Sequence, residues 1–303
     1  MIKNAIIYRV TPGYRFDPEI LGRHPARPCG ALEQRTAGFT EPCKHSTNGL
    51  VHSVSGYQVI CFESETKLLP GSVVSDAVAE RIEKIEGDQV RKVGRKEARD
   101  IKERVIDEFL PKAFVQHQRT LAVLTSKYFI VNTSSTARAD DLLSCLGTAL
   151  NHQVPLQPLN TIISPMSAMT GWVADGDAPD VFTIDDTLEL RSANEVQAAI
   201  RYIHHDLGGP EVAKHIAGGK IAVKLGMTWN DRVSFVLDTH LQLKRIALLD
   251  IVTAEAEEPE DAMEVFDADL TLSVGEVTQV IDWLVSALGG VVKPEADLIE
   301  GKE

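Results

Sequence analysis

Gly219-Lys220-Ile221-Ala222-Val223-Lys224-Leu225-Gly226-Met227 alternates residue by residue between apolar and polar or small side chains. On an extended chain Ile221, Val223, Leu225 and Met227 share one face and Lys220, Ala222, Lys224 and Gly226 the other, the period-two pattern of a strand with one buried face. It predicts a sheet that carries two lysines on its open side. Residues 232–237 and 241–248 continue as strands, joined by Asp238-Thr239-His240. Upstream, the pattern predicts a strand over 181–184, a helix over 194–202, and a short helix over 210–217 closed by Gly218. Downstream, an acidic loop spans 255–264. A last helix opens with the capping-box pattern Ser273-x-x-Glu276, carries Val277, Val280, Ile281, Leu284, Val285 and Leu288 on one stripe, and stops at Gly289.

The first half is less regular. Residues 3–10 and 57–62 are apolar and β-branched enough for strands, and Asp17-Pro18-Glu19 places an N-cap and a first-turn proline before a short helix. Gly, Thr, Ser and Pro make 28–56 loop-rich. Val74, Val78, Ile82 and Ile85, followed after a polar middle by Ile101, Val105 and Phe109, step at helical spacing, which predicts one helix or two broken near Gly87 or Gly94. Leu110-Pro111 ends that unit. Residues 121–133 then form one or two strands and 140–150 an amphipathic helix.

The 303 residues, 44% hydrophobic and 25% charged, suit a soluble protein of two or three packing units. No apolar run is long enough to span a membrane and the start does not read as a secretory signal, so a cytoplasmic location is expected. Cys29, Cys43, Cys61 and Cys145 include no Cys-x-x-Cys pair and are expected as reduced thiols. The net charge is −13, but from Asp250 to Glu303 there are 15 acidic and 2 basic residues, so residues 1–249 hold 29 of each sign. An acidic total therefore leaves room for a local basic surface. Between Arg81 and Arg104 nine basic residues face six acidic ones. That excess fits either a solvated helical surface laced with ion pairs or contact with DNA.

Catalytic signatures are sparse. Gly218-Gly219-Lys220 lacks the earlier glycine and the following Ser or Thr of a phosphate-binding loop, and it sits between a helix and a strand in the wrong order. Cys29, Cys43, His45 and His52 match no zinc spacing, and His204-His205-Asp206 stands alone. Asp267 and Asp269 could face one side of a strand and hold a divalent cation, but no further carboxylates continue the pattern. Gly-x-Ser-x-Gly is absent. No zinc finger, helix-turn-helix or aromatic single-strand platform appears, so a nucleic-acid partner would be held through its backbone.

Lys3-Asn4 and its strand, Pro28-Cys29-Gly30 with Gly38-Phe39 and Pro42, Lys67-Leu68-Leu69-Pro70, Leu110-Pro111-Lys112-Ala113-Phe114, Gly219-Lys220 through Leu225, and Phe266-Asp267-Ala268-Asp269 with Ala287-Leu288-Gly289-Gly290 follow one another in an order that resembles the RdgC family, the bacterial recombination-associated proteins. The resemblance implies an α+β fold of mixed sheets packed with helices: a central body over 1–71 and 115–170, an inserted helical tip over 72–114 and a base over 171–303. It implies that two curved subunits pair into a ring around double-stranded DNA, in the cytoplasm and nucleoid, bind without sequence preference and restrain the recombinase RecA. No catalytic residue, metal or cofactor is implied. Lys112 matches a basic position and Phe114 an aromatic subunit contact at the tip, and Lys220 matches a cation in the ring's hole. Lys224, Arg201 and Lys214 complete the expected DNA-facing cations. His204 and His205 stand where family members can carry lysine and glutamine, which implies weaker binding at pH 8 than at pH 6. Two other readings compete: a metal-dependent nuclease using Asp267, Asp269 and the histidines, and a protein-interaction module working through the acidic C-terminal segment.

Overall fold

The computed structural model describes residues 1–43, 49–179, 181–192, 198–253 and 261–292. Its first half contains strands β1 (Ile6–Val10), β2 (Arg35–Thr40), β3 (Val51–Val54), β4 (Tyr57–Leu68), β5 (Phe114–Leu124), β6 (Tyr128–Val131) and β7 (Leu156–Pro158). They form one antiparallel sheet in the order β2-β4-β5-β6-β1-β7, with β3 paired to the start of β4. The helices of this half are α1 (Pro18–Leu21), α2 (Gly71–Gln89), α3 (Arg95–Phe109) and α4 (Thr136–Ala149). Both faces of the sheet's central part are buried, and there the strand period sorts neighbouring residues between two cores. Ile60, Ala122, Leu124 and Phe129 pack with Leu142 and Leu146 of α4. Ile7, Val59, Val123 and Ile130 point into the other, larger core.

That larger core also takes in the second half of the chain. Here β8 (Phe182–Ser192), β9 (Ala199–Tyr202), β10 (Lys220–Trp229), β11 (Val233–Asp238) and β12 (Leu243–Leu248) form an antiparallel sheet in the order β12-β11-β10-β8-β9. Helices α5 (Pro165–Asp175), α6 (Pro210–Ala217), α7 (Asp250–Thr253) and α8 (Ala262–Ala287) accompany it. Leu188, Leu190, Ala222, Leu225, Met227 and Phe235 bury one face of this sheet with Met169 of α5 and Val274, Val277, Ile281 and Leu284 of α8. The two sheets are also tied through the backbone: Ala5 and Leu243 exchange hydrogen bonds of 2.7 and 3.0 Å. Sharing one core and one bridge, the sheets are linked as well as connected in sequence.

Between the paired strands β4 and β5, helices α2 and α3 pack on one another around Val74, Ile101 and Val105. The helix break predicted near Gly87 or Gly94 falls at Val90–Gly94: Val90 takes a left-handed φ of 50° and Gly94 caps α3. The ribbon below is continuous, with β4 and β5 in register from Gln58↔Leu124 to Leu68↔Phe114.

Several expectations change. The segment 28–56 contains strands β2 and β3, whose pairing with β4 overrides the local abundance of Gly, Ser and Thr. Ala199–Tyr202, expected in a helix, is strand β9 on the edge beside β8, while 193–197 lie outside the described residues. The acidic loop lies mostly over the undescribed 254–260, and α8 already begins at Ala262 behind the N-cap Asp261. Ser273 and Glu276 are therefore mid-helix and buried. They serve tertiary contacts: Ser273 accepts from the amide of Ile2 at 3.4 Å and Glu276 pairs with Arg232 at 2.7 Å.

Candidate nucleic-acid interface

The face on which Lys220 and Lys224 stand depends on one extra residue. β10 runs against β8 in the register Lys220↔Ser192, Ala222↔Leu190 and Lys224↔Glu189, with a bulge between Ala222 and Lys224. Ala222 and Leu190 are buried in the main core, so Lys220 and Ser192 share that side at the strand's end, and Lys220 Nζ donates to Ser192 Oγ at 3.1 Å. Past the bulge the faces swap: Leu225 and Met227 turn inward and Lys224 lies with Glu189 on the open side. The simple alternation expected for 219–227 is thus corrected, and the two lysines sit on opposite faces.

On the open side a single carboxylate gathers three cations. Glu189, only 5% exposed, accepts from Lys224 Nζ at 2.8 Å, from Arg191 at 2.8 Å and from Arg201 Nε at 3.2 Å. Burial alone would raise the Glu189 carboxyl, but the hydrogen bonds from Lys224 and Arg191 and the nearby charges bring its pKa down to about 2. One strand over, Lys244 pairs with Asp238 at 2.7 Å. Four cations held by two carboxylates leave an excess of positive charge on a surface of an otherwise acidic chain.

The remaining expected residues lie apart from this cluster. His204 and His205 follow β9 in a loop, not a helix. His204 meets Asp186 at 2.8 Å and His205 meets Glu211 at 3.3 Å while resting edge-on against Tyr202. The hydrogen bond from His204 holds the Asp186 carboxyl below its ordinary pKa. Lys214 is exposed on α6. Lys112 closes a 3-10 turn over Leu110–Lys112 at the end of the helical pair, and Phe114 opens β5 in the first sheet's ribbon. There Phe114 is 85% exposed, directly across from the exposed Leu68 and next to the exposed Val115.

The structure brings together Arg201 and Lys224 from the expected set and adds Glu189, Arg191, Lys244 and Arg245, the last bordering the same cleft. Period-two alternation in Leu188-Glu189-Leu190-Arg191 carried the signal for two of them. Asp267 and Asp269 do not face one side of a strand. They stand two apart on α8, so their side chains diverge by about 200°, and Asp267 is hydrogen-bonded to the buried His52 at 2.6 Å. Among the described residues no group of three His, Cys, Asp or Glu side chains could hold a metal ion. All four cysteines are free thiols, and no helix among the described residues is long and apolar enough to cross a membrane.

Residues 1–291 match the family model described as "Putative exonuclease, RdgC". The recombination-associated protein RdgC of Dechloromonas aromatica (strain RCB) is 39% identical over 300 residues, which cover 96% of this chain and 98% of that protein. The proteins of the same name from Pseudomonas syringae pv. syringae (strain B728a) and Pseudomonas aeruginosa (strain LESB58) are 37% and 35% identical over 302 residues, covering 97% of this chain and 98% of each. With an antiparallel α+β fold throughout and a family match from end to end of the described residues, this chain belongs to the RdgC family.

Proposed function

We propose that the protein binds double-stranded DNA without sequence preference, closes around it as a ring-shaped homodimer and restrains RecA-dependent recombination by occupying the DNA. The observation that carries this reading is the open face of the second sheet, where Arg191, Arg201 and Lys224 share one buried carboxylate in a chain of net charge −13. Cations fixed on a sheet surface suit phosphate contact, which positions a protein on a duplex without reading its bases. Lys112, Lys214, Lys220, His204 and His205 would add contacts away from this centre. The exposed pair Phe114 and Leu68 offers apolar surface for a subunit contact beside the helical tip. The relatives' name, recombination-associated protein, favours a role in recombination for this chain too.

Binding to a labelled random-sequence duplex over a salt series tests the reading. Affinity should fall steeply with salt, and Lys224→Glu should weaken binding and flatten the slope. Absence of binding at low salt would overturn it. Ring closure predicts slower release from circular than from short linear duplex, and equal release rates would remove the ring from the proposal. The family model's description favours a second reading, exonuclease activity. Magnesium-dependent shortening of an end-labelled duplex by the purified protein, lost in Asp269→Asn, would establish that reading at the residues first considered for it.

A further inference from the structure

The open face of the second sheet is recessed into a cleft of about 270 Å³, lined by Arg201, Lys224, Lys244 and Arg245 around Glu189. Two carboxylates, each only 5% exposed, organise these cations. Glu189 holds Lys224, Arg191 and Arg201. Asp238 holds Lys244 through Oδ2, while its Oδ1 accepts from the amides of His240 and Gln242 at 2.9 and 3.1 Å. None of the cations spends all its donors on these bonds. Arg201 commits its Nε alone, leaving the two terminal nitrogens of the fork, and each lysine commits one N–H of three. Cations held in place with spare donors, around a concave space, match a tetrahedral oxyanion better than they match a flat surface contact.

We infer that this cleft is a preassembled seat for one phosphate group, in the working protein a phosphodiester of the DNA backbone. Arg201, Lys224, Lys244 and Arg245 are its contacts, and Glu189 and Asp238 are positioning residues. The inference rests on the duplex-binding reading for the source of the phosphate, but the seat itself follows from the cleft and its ion pairs. It runs against simple charge counting. Removing the negative charge of Glu189 should strengthen attraction for DNA if only the net field mattered. If Glu189 positions its cations, removal leaves three like charges to repel one another apart and weakens binding.

The test measures random-sequence duplex affinity over a salt series, with melting temperatures alongside, for the whole protein and for Lys244→Ala, Arg245→Ala and Glu189→Gln. Each should lose about tenfold in affinity near 0.1 M salt and lower the slope of log K against log salt by about 1, the two cation variants at little change in melting temperature. If the wild type binds but Lys244→Ala and Arg245→Ala keep its slope, or Glu189→Gln binds more tightly, the seat is overturned while the duplex reading stands. Should Glu189→Gln fail to fold, the two cation variants decide. Inorganic phosphate titrated at constant ionic strength is the second arm. Phosphate binding that Lys244→Ala abolishes supports the seat even if the wild type does not bind duplex, which would then point to a free phosphate compound. No phosphate binding together with no duplex binding overturns seat and reading alike.

Discussion

The helical pair α2–α3 and the open face of the second sheet both carry clusters of arginine and lysine, yet they handle them differently. Residues 71–112 contain ten basic and ten acidic residues, so the excess seen between Arg81 and Arg104 vanishes over the unit that folds together. Its ion pairs are exposed and one to one: Arg81 with Glu108, Arg91 with Glu97 at 2.6 Å, Lys92 with Glu86 at 2.9 Å. On the sheet, Glu189 is buried and shared by three cations. Exposed one-to-one pairs are screened and contribute little, whereas a buried shared carboxylate fixes cations in place and leaves a net positive surface. The number of basic residues in a stretch therefore says less about a phosphate-binding surface than the number of carboxylates they must share.

The sharpest way to break this contrast is to reverse one charge in each region. Lys224→Glu should cost roughly 100-fold in duplex affinity at low salt, because it removes a contact and sets a second carboxylate beside Glu189, while Arg91→Glu should stay within about threefold. Comparable losses in a fluorescence-anisotropy titration would show that the helical pair contributes equally. The regions differ in packing too. The helical pair's own core is small, so Ile101→Ala, at an expected cost of about 2–4 kcal/mol, should melt it locally. Hydrogen exchange should accelerate over 71–112 while the amides of β10 stay protected, and acceleration in both would mean that the two units unfold together.

Acid should act mainly on the sheet. The folded Glu189 carboxyl titrates near 2 against an ordinary 4.5, so its contribution is fully present above about pH 4.5 and is lost as the pH falls toward 2. The stability gap between wild type and Glu189→Gln, at most about 3 kcal/mol, should close across that window. A gap that stays constant in denaturant titrations from pH 6 to pH 2.5 would separate the effect from ionisation. The smallest effect belongs to the helical pair: Lys92→Ala, at an exposed one-to-one pair, should leave the melting temperature unchanged within about 1 °C.

Much of the second sheet was legible because its strands are amphipathic. Residues 232–237 and 241–248 read correctly as strands, and 210–217 as a helix closed by Gly218. Strand β9 was not, because four residues on an edge carry too short a pattern to outweigh a helical reading, and only pairing with β8 makes them a strand. Strands β2 and β3 were hidden by the Gly, Ser and Thr around them, and only pairing with β4 makes them strands. The stripe of α8 was visible, but its start was misplaced because Ser273 and Glu276 imitate a cap while serving Ile2 and Arg232.

Local order in the chain determined several strand runs, the helical unit between Pro70 and Pro111, the separation of acidic C-terminal from balanced N-terminal charge, and the family resemblance. Each of these rests on periodicity, turn chemistry or residue identity over neighbouring positions. The expected mixed sheets proved antiparallel only through strand pairing. Which cations work together was decided only by tertiary structure. A bulge at Val223 sends Lys220 and Lys224 to opposite faces, and strand pairing brings Arg201, twelve residues beyond Glu189, and Lys224, thirty-five beyond it, onto one carboxylate. Electrostatic fields depend on distance in space and on burial, and neither is written in the spacing of residues along a chain.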